Sequence, residues 1–356
     1  MKPLPHALAS CMALALALAF AAPAAAAGSY TQRNLVSDGG VAAENTDPNL
    51  VNGWGVAFNP TAFVWVSAAD GMVSTLYDGD GNPQSLVVQI PSPGSSTGGN
   101  PTGIVYNGSA GFLVDPANPQ TPSRFIFATE QGVIAGWSPA VDSTHAILEV
   151  DNSASGATYK GLALSTGDSR QLLYATDFFH ARVDVFDSSF QPVSLPAGAF
   201  TDPSLPPHYA PFGIQAIGSH IYVTYAKQDP SMTEEVTGPG LGFVDVYTAN
   251  GRLLRRVASR GALNAPWGIA MAPDGFGRFS KTLLVGNFGD GRINGYGPVH
   301  GTPLGSLRGA GGPIRIDGLW GIAFGNGFNN QPVNTLFFAA GPDDEAHGLY
   351  GRIDAN

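Results

Sequence analysis

Six glycines, Gly55, Gly103, Gly161, Gly213, Gly268 and Gly321, recur 48 to 58 residues apart, each inside the same kind of short apolar stretch. The stretches read Gly53-Trp54-Gly55-Val56-Ala57-Phe58, Pro101-Thr102-Gly103-Ile104-Val105-Tyr106 and Tyr159-Lys160-Gly161-Leu162-Ala163-Leu164 in the first half. In the second half they read Pro211-Phe212-Gly213-Ile214-Gln215-Ala216, Pro266-Trp267-Gly268-Ile269-Ala270-Met271 and Leu319-Trp320-Gly321-Ile322-Ala323-Phe324. A period of this length means that one supersecondary unit is repeated, and that each unit buries its apolar face only against its neighbours.

Each stretch is followed by a second apolar run, at 63–67, 125–129, 172–176, 221–225, 282–285 and 335–339. After a turn comes a third, at 73–77, 133–137, 182–186, 242–247, 292–296 and 348–353. A fourth follows most of them, as at 86–90, 146–150 and 253–258. Short runs punctuated by turn residues are strands, and four antiparallel strands per unit describe a propeller blade. The expected fold is therefore all-β, a six-bladed β-propeller of four-stranded antiparallel blades filling residues 28–356 as one domain. The last unit reaches Asn356 without a fourth strand, while 30–37 is strand-like and has no blade of its own. Pairing that N-terminal segment onto blade six closes the ring and removes two exposed edges.

Composition agrees. The chain has 47 Gly and 28 Pro, and only 12% of its residues are charged, against about 25% in ordinary domains. Coiled coils and exposed bundles are excluded, and 44% hydrophobic residues argue against disorder. A net charge of −10 without any basic run excludes nucleic-acid backbones and anionic membrane surfaces as partners.

Residues 1–27 differ from the rest. Lys2 precedes an apolar run, then Pro23 and four alanines ending at Ala27, the order of a signal peptide with an Ala-x-Ala cleavage site. A secreted or periplasmic location follows, with no membrane span after cleavage. Cleavage also removes Cys11, the single cysteine, leaving neither disulfide nor thiol chemistry.

Ala265-Pro266-Trp267-Gly268-Ile269-Ala270 and the run from Tyr174 through Ala175-Thr176-Asp177 to Arg182-Val183-Asp184-Val185-Phe186-Asp187 resemble NHL repeats. Segments such as Leu263-Asn264-Ala265-Pro266 and Gly286-Asn287-Phe288-Gly289-Asp290-Gly291 are similar to an uncharacterised family of exported bacterial propellers. The resemblance spans residues 30–356 and implies fold and export, but no reaction, since propellers host many functions.

Strand alternation places the loop entering each first strand and the turn between second and third strands on one face, here termed the upper face. Second-strand ends bring Asp70, Glu130, Asp177, Lys227, Asn287 and Asp343 there. Two readings stand: each caps its own turn, or the oxygen-bearing members ring a hard cation such as Ca²⁺, as resemblance to six-bladed lactonases implies. His180, His208 and His347 share this face. They are either hydrogen-bonded loop residues or ligands for a catalytic Zn²⁺, in the manner of amidating lyases built on NHL blades. A further ring precedes the repeat glycines: Trp54, Thr102, Lys160, Phe212, Trp267 and Trp320. With Tyr209, its aromatic members form either inter-blade wedges or a ligand platform, and Lys160 is a carboxylate binder or, if desolvated, a base. The long turn 227–241 with Glu234 and Glu235, and the proline-rich loop 188–210, overhang the same face. No Gly-x-Ser-x-Gly, His-Glu-x-x-His or nucleotide-binding glycine pattern stands in a credible context. The expected function is an exported, monomeric scaffold binding a small molecule or an envelope or extracellular protein; the alternative is a Ca- or Zn-assisted hydrolase or lyase.

Overall fold

The stretches carrying the repeat glycines form the innermost strands of six blades: Gly53–Phe58, Pro101–Tyr106, Tyr159–Ser165, Tyr209–Ile217, Pro266–Met271 and Leu319–Phe324. The structure, a computed structural model, describes Met1, residues 29–165 and residues 170–356. The expected signal segment, Met1 aside, lies outside the described residues. Among those described, no helix is long and apolar enough to cross a membrane.

The repeat glycine has a geometric cause. Inner strands converge on the axis, so each glycine lies against the inner strand of the next blade. A Cβ on Gly55 would stand 2.5 Å from the Thr102 carbonyl oxygen, on Gly213 2.0 Å from that of Trp267, and on Gly321 2.4 Å from that of Trp54. Every inner strand also carries a bulge at this point. Bulges bend a strand and re-aim its side chains, which turns the residue before each glycine toward the upper mouth of the channel.

Six buried clusters fill the six blade-to-blade interfaces. The stack of Trp65 on Phe125, 4.1 Å between ring centres, joins blades one and two. Tyr77 on Tyr350, 5.2 Å apart, joins blades one and six. Ring closure is as expected. Tyr30–Ser37 pairs antiparallel with Leu349–Ala355, from Tyr30 opposite Ala355 to Ser37 opposite Leu349, and becomes the fourth strand of blade six.

Blade three departs from the expected four strands. It has three among the described residues, ending at Arg182–Phe186. The chain begins a fourth, with Pro192 bridged to Phe186 and the Val193 N–H donating to the Val185 carbonyl at 2.8 Å. It then leaves the blade at Leu195-Pro196, because proline cannot donate to a ladder.

Burial leaves one acid with an unusual titration. Glu149, the bulge residue of the outer strand Ile147–Asp151, has a buried, unpartnered carboxyl oxygen, and burial raises its pKa to about 8. Between the ordinary Glu value and this one the folded chain holds the extra proton, so stability declines as pH rises through that window. Thermal scans from pH 5.5 to 8.5 should show a falling Tm, with Glu149→Gln flattening the slope by the equivalent of about 1–2 kcal/mol after allowance for partial exposure. An unchanged slope in the variant would refute this assignment.

Candidate functional site

The residues preceding the repeat glycines meet at the upper end of the channel and close it. Trp54 and Trp320 stack with centres 3.5 Å apart, Trp267 stands edge-on to both at 5.9 and 5.8 Å, and Phe212 lies edge-on to Trp320 at 5.6 Å. Phe288 covers the other side of Trp320 at 4.2 Å. All six expected ring members, the four aromatics with Thr102 and Lys160, are buried. The indole N–H groups are satisfied internally: Trp54 donates to Asn52 Oδ1 (3.0 Å), Trp267 to the Lys160 carbonyl (2.9 Å) and Trp320 to Glu345 Oε1 (3.1 Å). The aromatics are thus the floor of a site and not an exposed platform. Tyr209 is used elsewhere, edge-on to Phe243 at 4.8 Å within blade four.

Above this floor, Lys160 is only 1% exposed. Its Nζ donates to Glu130 Oε1 at 2.6 Å and Glu234 Oε2 at 3.1 Å, and lies 5.2 Å from the centre of the Trp54 ring. Burial alone would lower its pKa, but the charges of Glu130, Glu235 and Glu234 together hold it well above the ordinary lysine value. It is therefore a permanent cation and donor, not a base. Glu235 sits beside it because the short strand Glu235–Val236 folds the long blade-four turn back onto Lys227 and Gln228. Burial raises Glu235 to about 7 against the opposing pull of Lys160, and its Oε2 is buried without a partner. Glu345 is likewise raised by burial, with the Asn52 hydrogen bond and Lys160 opposing. Asp70 is raised by burial, with Asn52 and Asn100 donating to it at 3.2 and 3.3 Å.

The blade-six turn is strained where it delivers Glu345. Asp343, Asp344 and Glu345 have φ of 60°, 51° and 67°, three successive non-glycine residues in a left-handed conformation that costs roughly 1–2 kcal/mol each. Such strain persists only where surrounding structure enforces it, and it gathers at functional sites. The rotation explains why Asp343, chosen from sequence, is exposed while Glu345 points inward.

The remaining candidates are held by their own turns. Asp177 is fully buried, accepts from His180 Nδ1 (2.7 Å) and the Thr158 N–H (3.3 Å), and forms an ion pair with Arg182 (3.3 Å). Asn287 donates to the Ala262 carbonyl and to Asp290. His347 pairs with Asp38 at 2.9 Å, its ring covering Gly40, so it docks the segment after the N-terminal strand. Asp343 stands 4.0 Å from His347. The His208 side chain is exposed; its loop and that of His180 are joined through Gln228, whose N–H donates to the His208 carbonyl and whose amide donates to the Phe178 carbonyl. Among the described residues no group of three or more His, Cys, Asp or Glu is placed to hold a metal ion. The residues present do not fit the implied Ca²⁺ ring or a His180–His208 zinc centre, since their carboxylates converge on an ammonium or on turn amides instead.

Sequence reasoning named Lys160, Glu130, Glu234 and Glu235 separately and missed Asn52, Asn100 and Glu345. Asn52 carried one weak signal, a polar residue two positions ahead of Trp54.

Fold and site together define a six-bladed propeller whose channel is plugged by aromatics beneath a carboxylate–lysine cluster. No family model matches the chain. The chain is 34% identical to Uncharacterized protein R648 of Acanthamoeba polyphaga mimivirus over 328 residues, 90% of this chain and 78% of that protein. It is 32% identical to Uncharacterized protein L690 of the same virus over 337 residues, 92% and 86% of the two chains. The chain belongs to the family of these two proteins. Among solved structures it is similar to virginiamycin B lyase from Staphylococcus aureus, with a TM-score of 0.53 at 14% identity, covering 91% of this chain and 98% of the lyase. At that identity the likeness is one of fold.

Proposed function

We propose that the protein is an exported binding scaffold, and that its ligand or partner presents a cationic group, an amine or guanidinium, to the upper mouth of the channel. The observation that carries this reading is the free, buried Oε2 of Glu235 beside Lys160. An unmatched buried acceptor costs about 1–3 kcal/mol, and a donor from outside removes that cost. Glu130, Glu234, Glu235, Glu345 and Asp70 outnumber the one lysine, so an incoming cation meets net negative charge. Burial and mutual repulsion raise three of these acids, and a bound cation would lower them again. The strained turn behind Glu345 supports the same place.

Spermidine is a suitable first probe by calorimetry at low salt. Saturable binding is expected, weakened at least about tenfold, or 1.4 kcal/mol, by the paired substitutions Glu130→Gln and Glu235→Gln. Equal binding by wild type and variant, or a preference for an anionic probe, would sink the proposal. Export rests on the N-terminal segment. Edman sequencing of the protein recovered outside the cytoplasm should begin at Gly28, and a start at Met1 would contradict it.

A further inference from the structure

We infer that the outer edge of blade three is a strand-addition site for an extended, basic segment of a partner protein. The inference rests on a comparison of the molecule with itself. The third strand of blade three reads Val183-Asp184-Val185-Phe186 and that of blade four Val244-Asp245-Val246-Tyr247. Both pair with their second strands in the same register: Tyr174 faces Val185 and Ala175 faces Asp184, as Tyr222 faces Val246 and Val223 faces Asp245. The following turns also match, since the Asp187 N–H donates to the Gln191 carbonyl as the Thr248 N–H donates to that of Arg252.

Beyond this point the two blades differ. Blade four continues into the outer strand Leu253–Ser259, which sets Arg255 opposite Val246 and Ala258 opposite Val244, and lets Arg256 ion-pair with Asp245. Blade three makes only the start, Pro192 and Val193, and turns off. In place of the missing strand is a cavity of about 430 Å³, lined by Arg182, Val183, Val185, Leu195, Pro196 and Phe200 among others. The Val185 carbonyl points to this side, since it accepts from Val193. The N–H of Val185 and both backbone groups of Val183 point the same way by strand geometry, and none has a backbone partner among the described residues.

Backbone donors and acceptors in a strand's spacing are complementary to another strand, the mode in which an extended peptide completes an exposed edge. Side chains then set preference. Val183 is half-exposed and asks for an apolar neighbour. Asp184, in the position of Asp245, accepts from the Tyr159 hydroxyl at 2.8 Å and pairs with the exposed Arg182 at 2.8 Å. A basic residue of the partner takes the place that Arg256 has in blade four by sharing Asp184 with Arg182 or releasing Arg182 from it.

The probe is the blade-four outer strand as a free peptide, Leu-Leu-Arg-Arg-Val-Ala-Ser-Arg, added to the intact protein and followed by calorimetry and hydrogen exchange. Saturable one-to-one binding is expected, with slowed exchange at the amides of Val183 and Val185. Two peptide variants leave the protein's fold untouched. N-methylation at Ala, the position facing Val183, whose carbonyl is free, should weaken binding at least about tenfold. Replacing the second Arg by Glu should weaken it similarly. Undetectable binding, or an N-methylated peptide that binds equally well, overturns the inference. A concentration-dependent dimer of the protein alone that protects Val183 and Val185 also overturns it, because the occupant would then be a second copy.

Discussion

Gly213→Ala should lower stability by at least about 3 kcal/mol, or leave the protein in the insoluble fraction. The added Cβ would lie 2.0 Å from the Trp267 carbonyl oxygen, a backbone atom that moves only if blade five moves with it. Displacing one inner strand disturbs the whole ring, since the equivalent glycines of the other blades make the same approach. Gly311→Ala is the control. Nothing lies within 4 Å of its Cβ position, so this change should be neutral, or slightly stabilising through the unfolded chain. Thermal unfolding of the two variants side by side decides the matter. Equal midpoints would mean that the repeat glycine answers to something other than inner-strand contact.

Lys160→Met should be the most damaging change to a single side chain, and its cost should depend on pH. Removing one partner of a buried pair leaves the other uncompensated, which costs about 3–5 kcal/mol when burial is complete. Glu130 and Glu234 are 29% and 61% exposed in their side chains, so about 2–3 kcal/mol is expected near pH 8. Near pH 5 Glu235, whose carboxyl burial already raises to about 7, holds a proton and the penalty shrinks. Combining Lys160→Met with Glu130→Gln should recover part of the loss, as coupled neighbours are not additive. A penalty that is the same at both pH values would show that Lys160 contributes packing alone.

The fold was legible because its determinant is local and repeated. Each inner strand needs a residue without Cβ at one position, and the period of those glycines states the number of blades. Closure by residues 30–37 was legible for a related reason, one strand short at one end and one over at the other. The missing outer strand of blade three was less so, although Pro192 and Pro196 foreshadow it. The site was legible only in pieces. Its carboxylates come from the loops of blades one, two, four and six, with Asp70 and Glu345 at the ends of the range, so no spacing rule connects them. Which turn residue points inward depends on backbone rotation, and the left-handed run Asp343–Glu345 occurs without the glycines that usually announce one. Lys160 was the informative exception, a charged residue in a position otherwise held by aromatics and Thr102.

The clasp between the two ends of the chain has a consequence for how the molecule comes into being. Its first described strand, Tyr30–Ser37, has as its partner the last one, Leu349–Ala355, and the Asn356 N–H reaches back to the Ser29 carbonyl at 3.0 Å. On a ribosome the earliest strand is made long before its mate and must wait, edge unpaired, through five complete blades. The ring therefore locks only once Leu349–Ala355 has been made, and loss of either strand leaves the same gap. Linking Asn356 to Ser29 and reopening the chain at Gly311, in an exposed turn, would let that pairing form as a hairpin early in synthesis.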